Sequence, residues 1–341
     1  MDAEQIAKEK QEHIKRLGPW TAHCIHLTDD IYTFDHPEMD SRLRSILQIS
    51  SDITGKPLHE LRVLDLACLE GHFGIEFALH GSQVVAVEGR EANLEKARFA
   101  TKALGLHNIE LVLDDVRNLN KDRYGLFDVV LCLGILYHLD TPDVMNFVEN
   151  IATLCTKVAI IDTHISSRDE ASYSWNEKLY WGQYTKEHDG TATSQDKLAS
   201  SWYSLDNPRS FQFTRASLCN LLRHVHFTSV YECLNPYQYH NPNWPLPAKG
   251  DGHVVWHNRI TLAAIKGQNQ TLLSSPVTQE SPEIDRPEKP ASFDERTEVP
   301  DYWGKNNPSS AVSHAEIRKS LRSKLGKLLP KTIKRAIRKI T

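Results

Sequence analysis

The sequence contains few cysteines and no long apolar run, and each absence narrows what the protein can be. The six cysteines stand singly, without a CxxC pair or a closely spaced histidine, so neither a zinc site nor a disulfide framework is predicted. The longest apolar run is the nine residues Val129–Tyr137, whereas a membrane-spanning helix needs about 20. We therefore predict no metal site and no transmembrane segment.

Charge is distributed unevenly along the chain. The net charge is −4, but residues 315–341 contain ten Lys or Arg and one Glu, which leaves −13 for the other residues. Residues 1–16 are charged throughout and lack the apolar stretch of a secretory signal, so we expect a cytoplasmic location. The net negative charge of residues 1–314 argues against an extended nucleic-acid-binding surface.

The 341 residues divide into regions of different composition. Residues 1–60 are polar and mixed, whereas residues 61 to about 162 alternate short apolar runs with amphipathic stretches. Residues 164–258 are rich in Trp, Tyr, His and Pro and have few apolar runs. Within 268–312, six prolines and eight acidic residues predict a disordered linker. Residues 313–341 place apolar side chains at spacings of three or four among basic ones, which predicts a basic amphipathic helix.

Seven strands and four helices are predicted within 61–267. The strands are expected at Arg62–Leu66, Gln83–Glu88, Ile109–Leu113, Phe127–Leu133, Val158–Asp162, Ser229–Leu234 and Arg259–Ile265. The helices are expected at Phe73–His80, Ala92–Leu104, Pro142–Leu154 and Thr214–His224. Because the first five strands alternate with helices, we expect an α/β fold with a mostly parallel sheet and helices on both faces.

The residues that end the strands are the first candidates for a site, because ligands of open parallel sheets bind outside the carboxyl ends of the strands. The first strand runs into a turn with small residues, Ala67 and Gly71, which allow a ligand to approach the backbone and the next helix. The second strand ends at Glu88, 17 residues after Gly71. An acid at this spacing accepts hydrogen bonds from ribose hydroxyls in nucleotide-binding folds, which favours an adenosine-containing ligand.

The next two strand ends add polar side chains. Asp114 and Asp115 follow the third strand, where a carboxylate can accept a hydrogen bond from the exocyclic amine of an adenine; a solvated acid pair in a loop is the equal alternative. The fourth strand is followed by Gly134 and the polar aromatic pair Tyr137 and His138.

These motifs resemble those of the class I S-adenosylmethionine-dependent methyltransferases. The stretch from Asp65 to Gly71 is similar to the acidic, glycine-rich first motif of that family, with Ala67 and Leu69 where glycines are usual. Residues 134–142 resemble the GxLYHLxxP segment found in the carboxymethyltransferase-like enzymes that act on the tRNA wobble uridine.

The resemblance implies a Rossmann-like seven-stranded methyltransferase fold with a C-terminal antiparallel strand, and S-adenosyl-L-methionine as cofactor. It implies that residues 1–60 cap the cofactor and that 61–267 form the methyltransferase domain. It assigns the ribose to Glu88 and the adenine to Asp115 or Asp114. The full set of cofactor-binding residues expected from the motifs is Asp65, Ala67, Gly71, Glu88, Asp114, Asp115 and Gly134.

Catalysis of methyl transfer depends mostly on holding the acceptor atom in line with the methyl group of the donor. A hydroxyl acceptor also needs a base to take its proton. His138 and His164 each follow a strand end and are the candidates, and Tyr137 lies beside them in the sequence. With seventeen histidines in the chain, a structural imidazole is the alternative for both, as packing is for Tyr137.

The aromatic-rich segments 164–213 and 235–258 are expected to form lid insertions on the acceptor side. Their aromatic side chains are suited to stack on a sugar or another planar acceptor. The alternative is that these side chains only pack the long insertions against the rest of the protein. The basic tail 315–341 is expected to dock on a protein partner or peripherally on the inner membrane surface; nucleic acid or packing on its own body is less favoured.

The favoured function is an S-adenosylmethionine-dependent methyltransferase with an unidentified acceptor: a small molecule, a sugar or a lipid-linked glycan. The alternatives are a tRNA-modifying methyl- or carboxymethyltransferase, a non-catalytic nucleotide-binding scaffold and an NAD-dependent dehydrogenase. A carboxylated cofactor would require cationic groups near Tyr137, which sequence order does not locate.

Overall fold

The computed structural model describes residues 1–21, 24–34, 41–233, 259–271 and 273. The second aromatic segment (235–258), most of the predicted linker and the basic tail lie outside the described residues. Membrane or protein docking of the tail therefore stays a prediction.

Twelve strands and eight α-helices are present in the described parts of the chain. The strands are β1 (His26–Thr28), β2 (Ile31–Tyr32), β3 (Arg62–Leu66), β4 (Gln83–Glu88), β5 (Ile109–Leu113), β6 (Phe127–Leu133), β7 (Cys155–His164), β8 (Ala171–Trp175), β9 (Lys178–Lys186), β10 (Arg209–Phe213), β11 (Ser229–Cys233) and β12 (Arg259–Ile265). The helices are α1 (Ala3–Leu17), α2 (Ser41–Thr54), α3 (His72–Leu79), α4 (Glu91–Ala103), α5 (Lys121–Tyr124), α6 (Asp143–Leu154), α7 (Ser194–Ala199) and α8 (Arg215–His224).

The central sheet has seven strands in the order β11-β12-β7-β6-β3-β4-β5. The five strands from β7 to β5 are parallel, and β12 and β11 are antiparallel additions. The chain proceeds outward from β3 through β4 to β5 and then returns to the other side of β3 as β6. The switch point therefore lies between β3 and β6, where a crevice is expected outside the strand ends.

Helices cover both faces of this sheet because the central strands are apolar on both sides. In β6, Val130 and Cys132 pack toward α6 and α8, whereas Val129 and Leu131 pack toward α2 and α3. All four side chains are fully buried. This double burial explains the continuous apolar run of the strand, which is typical of parallel sheets.

A second sheet lies in the 164–213 insertion. Strands β8, β9 and β10 form an antiparallel three-stranded sheet, and Asn176 and Glu177, both with positive φ, make the two-residue turn between β8 and β9. Tyr180 of β9 is 1% exposed and belongs to the main core, whereas Trp202 and Tyr203 beyond the sheet are exposed. The aromatics of the insertion thus serve both as anchors and as surface groups.

The predicted fold class is confirmed: a mostly parallel seven-stranded sheet with antiparallel C-terminal strands and helices around it. The seven predicted strands are the seven of the central sheet, and β7 extends beyond the predicted Val158–Asp162 in both directions. The prediction was incomplete because it missed the five strands outside the central sheet and the helices α1, α2, α5 and α7. Among the described residues, no helix is both long and apolar enough to cross a bilayer.

Candidate active site

The turn after β3 follows a path that normally requires glycine. Ala67 and Leu69 have φ angles of 52° and 49°, and Gly71 has 84°. A side chain in the left-handed region costs on the order of 1 kcal/mol or more, so this turn holds two strained residues. The positions where glycines are usual thus keep a glycine-like backbone although their residues are not glycine.

Asp65, the acid of this motif, lies inside the protein rather than in the crevice. Asp65 is 2% exposed, and its carboxylate accepts a hydrogen bond of 2.9 Å from the backbone N–H of Gly74 in α3. A Cβ on Gly74 would lie 3.0 Å from that oxygen, so the close approach needs glycine. Burial raises the pKa of Asp65 to about 7, against the lowering effect of the Gly74 hydrogen bond. Asp65 therefore joins the end of β3 to α3 behind the turn.

Glu88 ends β4 directly beside the turn. One carboxylate oxygen accepts a hydrogen bond from the N–H of Leu69 at 3.0 Å, and the other accepts from the N–H of Arg90 at 2.9 Å and from the amide of Asn93 at 3.3 Å. Burial raises the pKa of the carboxyl, and these hydrogen bonds oppose that shift. Glu88 thus holds the strained Leu69 backbone in place, and each carboxylate oxygen can accept more than one hydrogen bond.

Asp114 and Asp115 follow β5, and both have partners within the protein. Asp114 accepts hydrogen bonds from the amide of Asn118 and from the hydroxyl of Tyr124. Desolvation opposes its ionisation, but these hydrogen bonds prevail and the pKa of Asp114 is lowered. Asp115 makes a two-pronged ion pair with Arg117, at 3.0 and 2.5 Å. Both acids nevertheless line a cleft.

This cleft, of about 400 Å³, lies between the ends of β4 and β5 and a segment of the insertion, residues 187–207. Its wall combines three leucines with charged and polar side chains; the lining residues are Gly89, Leu113, Asp114, Asp115, Arg117, Ser194, Lys197, Leu198, Leu205 and Asp206. A Cβ on Gly89 would lie 2.5 Å from Leu205, so the 187–207 segment packs directly on the β4 end. The dimensions and mixed lining suit a planar ligand with a polar edge.

Arg90 fastens the 187–207 segment over the strand ends. Its guanidinium lies within 3.3 Å of five backbone carbonyls of the segment, those of Lys197, Leu198, Ser200, Tyr203 and Ser204. Arg117 adds an ion pair with Asp206 at 2.9 Å. Because Arg90 is only two residues after Glu88, the same strand end both borders the turn and holds the segment closed.

A second cluster of side chains lies at the ends of β6 and β7. The Tyr137 ring packs between those of His138 and His164, with centroid distances of 4.3 and 4.6 Å. His138 Nδ1 lies 3.0 and 3.1 Å from the two carboxylate oxygens of Glu187, which also accepts the Ser204 N–H at 2.7 Å. The carboxylate fixes Nδ1 as the protonated nitrogen, which leaves Nε2 as the basic one.

His164 and Tyr137 are both kept neutral at physiological pH. Burial, together with the neighbouring charge of Arg259, lowers the pKa of His164 to about 4. Burial also raises the pKa of Tyr137, although Arg259 opposes that shift. Gly134, which directly follows β6, has a φ of 91°, a conformation that favours glycine.

The N-terminal segment is tied to the same turn through Glu70. This fully buried carboxylate accepts hydrogen bonds from the N–H and hydroxyl of Thr21, at 2.6 and 2.9 Å, and pairs with the buried Lys96 at 3.3 Å. Lys96 also donates to the carbonyl of Pro19 at 2.6 Å. Residues 19–21 therefore pack against the turn that follows β3.

The structure thus places the residues expected from the sequence in four locations. Ala67, Gly71 and Glu88 lie together at the turn, Asp114 and Asp115 line the cleft, and Asp65 is buried behind them. Gly134, Tyr137, His138 and His164 form the second cluster.

Sequence reasoning missed Arg90, Glu187 and the two arginines near Tyr137, Arg42 and Arg259. Arg90 could have been considered from the sequence because it lies two residues after Glu88. Glu187, Arg42 and Arg259 contact residues that are distant in sequence. In the described part of the chain, no group of three or more His, Cys, Asp or Glu residues is placed to hold a metal ion.

Comparison with known proteins identifies the central region. Residues 63–157 match the family model described as a methyltransferase domain. A ubiquinone biosynthesis O-methyltransferase of Rickettsia conorii is 26% identical over 136 residues, which is 39% of this chain and 45% of that protein. The protein of the same name from Acinetobacter baumannii (strain AYE) is 27% identical over 132 residues, 39% of this chain and 53% of that protein. The chain thus spans about half the length of these curated relatives.

A solved structure shares the fold over a longer stretch. The N-terminal domain of EvdMO1, crystallised in the presence of SAH and D-fucose, is 20% identical and superimposes with a TM-score of 0.56. The match covers 78% of this chain and 97% of that one. Residues 63–157 therefore match a methyltransferase domain, and they lie within a Rossmann-like fold that the solved neighbour shares.

Proposed function

We propose that this protein uses its methyltransferase domain to methylate a hydroxyl group of a small molecule or sugar, with His138 as the general base. The observation that carries the proposal is the pairing of His138 with the buried carboxylate of Glu187 at the end of β6, the strand next to the cofactor turn. A base is needed for a hydroxyl acceptor, whereas a more nucleophilic acceptor can react through positioning alone.

The residues that would bind S-adenosylmethionine can be assigned from their positions at the ends of the strands. Glu88 is suited to accept hydrogen bonds from the ribose hydroxyls, because it ends β4 beside the turn formed by Ala67 and Gly71. The cleft lined by Asp114 and Asp115 is suited to the adenine, with an acid available for the exocyclic amine. When bound, the cofactor supplies an electrophilic methyl group. The protein supplies the orientation, the exclusion of water and the proton acceptor.

His138 is the preferred base over His164 for an electrostatic reason. The Glu187 carboxylate stabilises the imidazolium that forms when His138 Nε2 takes a proton. His164 has the positively charged Arg259 nearby and a pKa of about 4, so it holds a proton poorly. Tyr137, packed between the two rings, positions them and offers its hydroxyl to the acceptor.

Support for a hydroxyl acceptor also comes from the comparisons. The curated relatives carry the name O-methyltransferase, and the structural neighbour was crystallised with D-fucose, a sugar. The exposed Trp202 and Tyr203 of the 187–207 segment add aromatic surface of the kind that stacks on sugars and rings. A tRNA acceptor has no comparable support.

Isothermal titration with S-adenosylmethionine and S-adenosylhomocysteine tests the cofactor assignment. We expect binding in the wild type, and at least tenfold weaker binding in Glu88→Ala, because losing a hydrogen bond to a charged group costs about 1.5–3 kcal/mol. Glu110→Ala removes an exposed acid from the neighbouring strand and is the matched control. Thermal unfolding checks that Glu88→Ala remains folded. Absence of binding in the wild type would refute the proposal.

Transfer of a labelled methyl group tests the acceptor and the base. The screen covers phenols, sugars, lipid-linked glycans and tRNA, and we expect label on a hydroxyl of a small acceptor. His138→Ala should lower kcat by about 10²–10⁴-fold and leave the affinity for S-adenosylhomocysteine unchanged, whereas the exposed His107→Ala should change neither. Label on tRNA alone, or full activity of His138→Ala, would contradict the proposal.

A further inference from the structure

One wall of the cleft at the ends of β4 and β5 lies outside the region that matches the methyltransferase family. The match ends at residue 157, whereas Leu198 and Leu205 line the cleft from the 187–207 segment of the insertion. The opposite wall comes from the strand ends, with Gly89 after β4 and Asp114 after β5. The insertion therefore adds apolar surface to a cleft whose strand ends contribute acids.

Leu205 reaches the end of β4 because the residue that follows this strand is glycine. A Cβ on Gly89 would lie 2.5 Å from Leu205 Cδ1 and 3.1 Å from its Cδ2. A side chain at position 89 would therefore displace Leu205 from its place. Since Gly89 directly follows Glu88, the Leu205 side chain packs beside the strand end that carries the acid assigned to the ribose.

Arg90 determines where this apolar wall lies. The residue is 9% exposed, and its guanidinium lies within 3.3 Å of five backbone carbonyls between residues 197 and 204. Hydrogen bonds from a charged donor are roughly twice as strong as those between neutral groups. The carbonyl of Leu198 is one of the five acceptors, and Leu205 follows the last of them. Arg90 thus places both leucines against the strand ends.

Arg117 attaches the other side of Leu205 to the end of β5. It donates to both carboxylate oxygens of Asp115 and to Asp206 at 2.9 Å. Asp206 directly follows Leu205 in the sequence. Leu205 therefore lies between a backbone acceptor of Arg90 and a carboxylate partner of Arg117, which fixes its position from both sides.

The two kinds of surface in this cleft match the two kinds of surface on an adenine. The ring has apolar faces, and its edge carries an exocyclic amine that donates hydrogen bonds. Small-molecule sites commonly combine apolar walls with a few polar groups that fix the orientation of the ligand. Asp114 and Asp115 suit the edge of the ring, and the leucines of the segment suit its faces.

We propose that Leu198 and Leu205 bind the adenine of S-adenosylmethionine, and that Arg90 is a positioning residue that holds them in place. This inference rests on the proposed function, because it takes the cofactor and its cleft from there. Arg90 acts on the cofactor through the 187–207 segment. Consequently, order in the segment strengthens cofactor binding, and bound cofactor stabilises the segment.

Isothermal titration with S-adenosylhomocysteine and with adenosine tests the contact with the adenine. Leu205→Ala should weaken the binding of both molecules by a similar factor, about tenfold, because both contain the adenine. Leu179→Ala removes an exposed leucine of the same insertion and is the matched control. Unchanged binding in Leu205→Ala would overturn the inference. Tighter binding would also overturn it, since Leu205 would then occupy the place of the adenine.

A double-mutant cycle tests the role of Arg90. Arg90→Gln should weaken the binding of S-adenosylhomocysteine by about tenfold or more, because it removes hydrogen bonds from a charged group, and Arg90→Lys should restore part of the affinity. Adding Leu205→Ala to Arg90→Gln should cause little further loss, since the leucine is no longer held in place. Additive losses would show that Arg90 does not act through Leu205. Arg98→Gln, which removes an exposed arginine of α4, is the matched control.

Hydrogen–deuterium exchange of the full chain, measured by mass spectrometry, provides a readout that does not depend on a variant. S-adenosylhomocysteine should slow amide exchange in peptides from residues 194–206 of the wild type and leave peptides from α8 unchanged. Exchange in 194–206 that is unaffected by the ligand would overturn the inference.

The same experiments separate this inference from the proposed function. If S-adenosylhomocysteine does not bind the wild type, the proposed function fails and this inference fails with it. If binding occurs and Glu88→Ala weakens it, but Leu205→Ala and Arg90→Gln do not, only the assignment of the adenine wall to the insertion is refuted.

Discussion

Replacement of Asp65 by asparagine should change how stability depends on pH. The carboxyl is fully buried and its pKa is raised from 3.8 to about 7, so the folded protein binds the Asp65 proton more tightly than the unfolded chain does. As pH rises from 4 to 7, the unfolded chain loses this proton first, and the wild type is progressively destabilised. A difference of about three pKa units corresponds to about 4 kcal/mol, reached above pH 7.

The amide introduced by Asp65→Asn has no proton to lose, and its carbonyl can still accept the Gly74 hydrogen bond. We therefore expect the free energy of unfolding of Asp65→Asn, relative to the wild type, to increase by several kcal/mol between pH 4.5 and 8. Urea denaturation at a series of pH values measures this quantity. A change in stability that the amide causes equally at every pH does not affect how the difference varies with pH. A difference that is independent of pH, or that moves the other way, would refute the assignment of a buried, proton-binding Asp65.

Two further predictions concern the turn after β3. Lys96→Met leaves the buried Glu70 carboxylate without its ammonium partner and should lower the free energy of unfolding by about 3–5 kcal/mol. Arg98→Met breaks the exposed ion pair with Glu91 and should lower it by less than about 1 kcal/mol. Equal losses of stability in urea denaturation would contradict this. Leu69→Gly should be more stable than Leu69→Ala by about 1 kcal/mol, because both lose the same side chain contacts but only glycine relieves the positive φ. The opposite ranking in the same assay would show that the turn is not strained.

The strands of the central sheet could be located from the sequence because each is an apolar run bounded by polar residues. The elements missed have weaker signals. Helix α1 buries only Ile6 and Lys10, so its apolar stripe is narrow. Strand β8 alternates small and aromatic residues, a pattern typical of a half-buried strand, but its aromatic content favoured a lid interpretation.

The two halves of the candidate site differ in how far sequence reasoning could reach. Glu88 was identified because its distance from the turn is set by one strand–helix–strand unit, which has a narrow range of lengths. Glu187 lies 49 residues after its partner His138, and Arg42 and Arg259 lie 120 and 97 residues from Asp162. Contacts over such separations depend on the three-dimensional packing of elements, so no local spacing could indicate them.

The 187–207 segment connects these two halves physically. At one end Glu187 holds the ring of His138, and further along Arg90 binds the carbonyls of residues 197–204 directly beside Glu88. Movement of the segment away from the strand ends would therefore open the cleft and separate the Glu187 carboxylate from His138 at the same time. Because both contacts belong to one stretch of chain, a closed cleft and an oriented His138 are expected to occur together. Under the proposed function, this coupling would confine proton abstraction to the closed state.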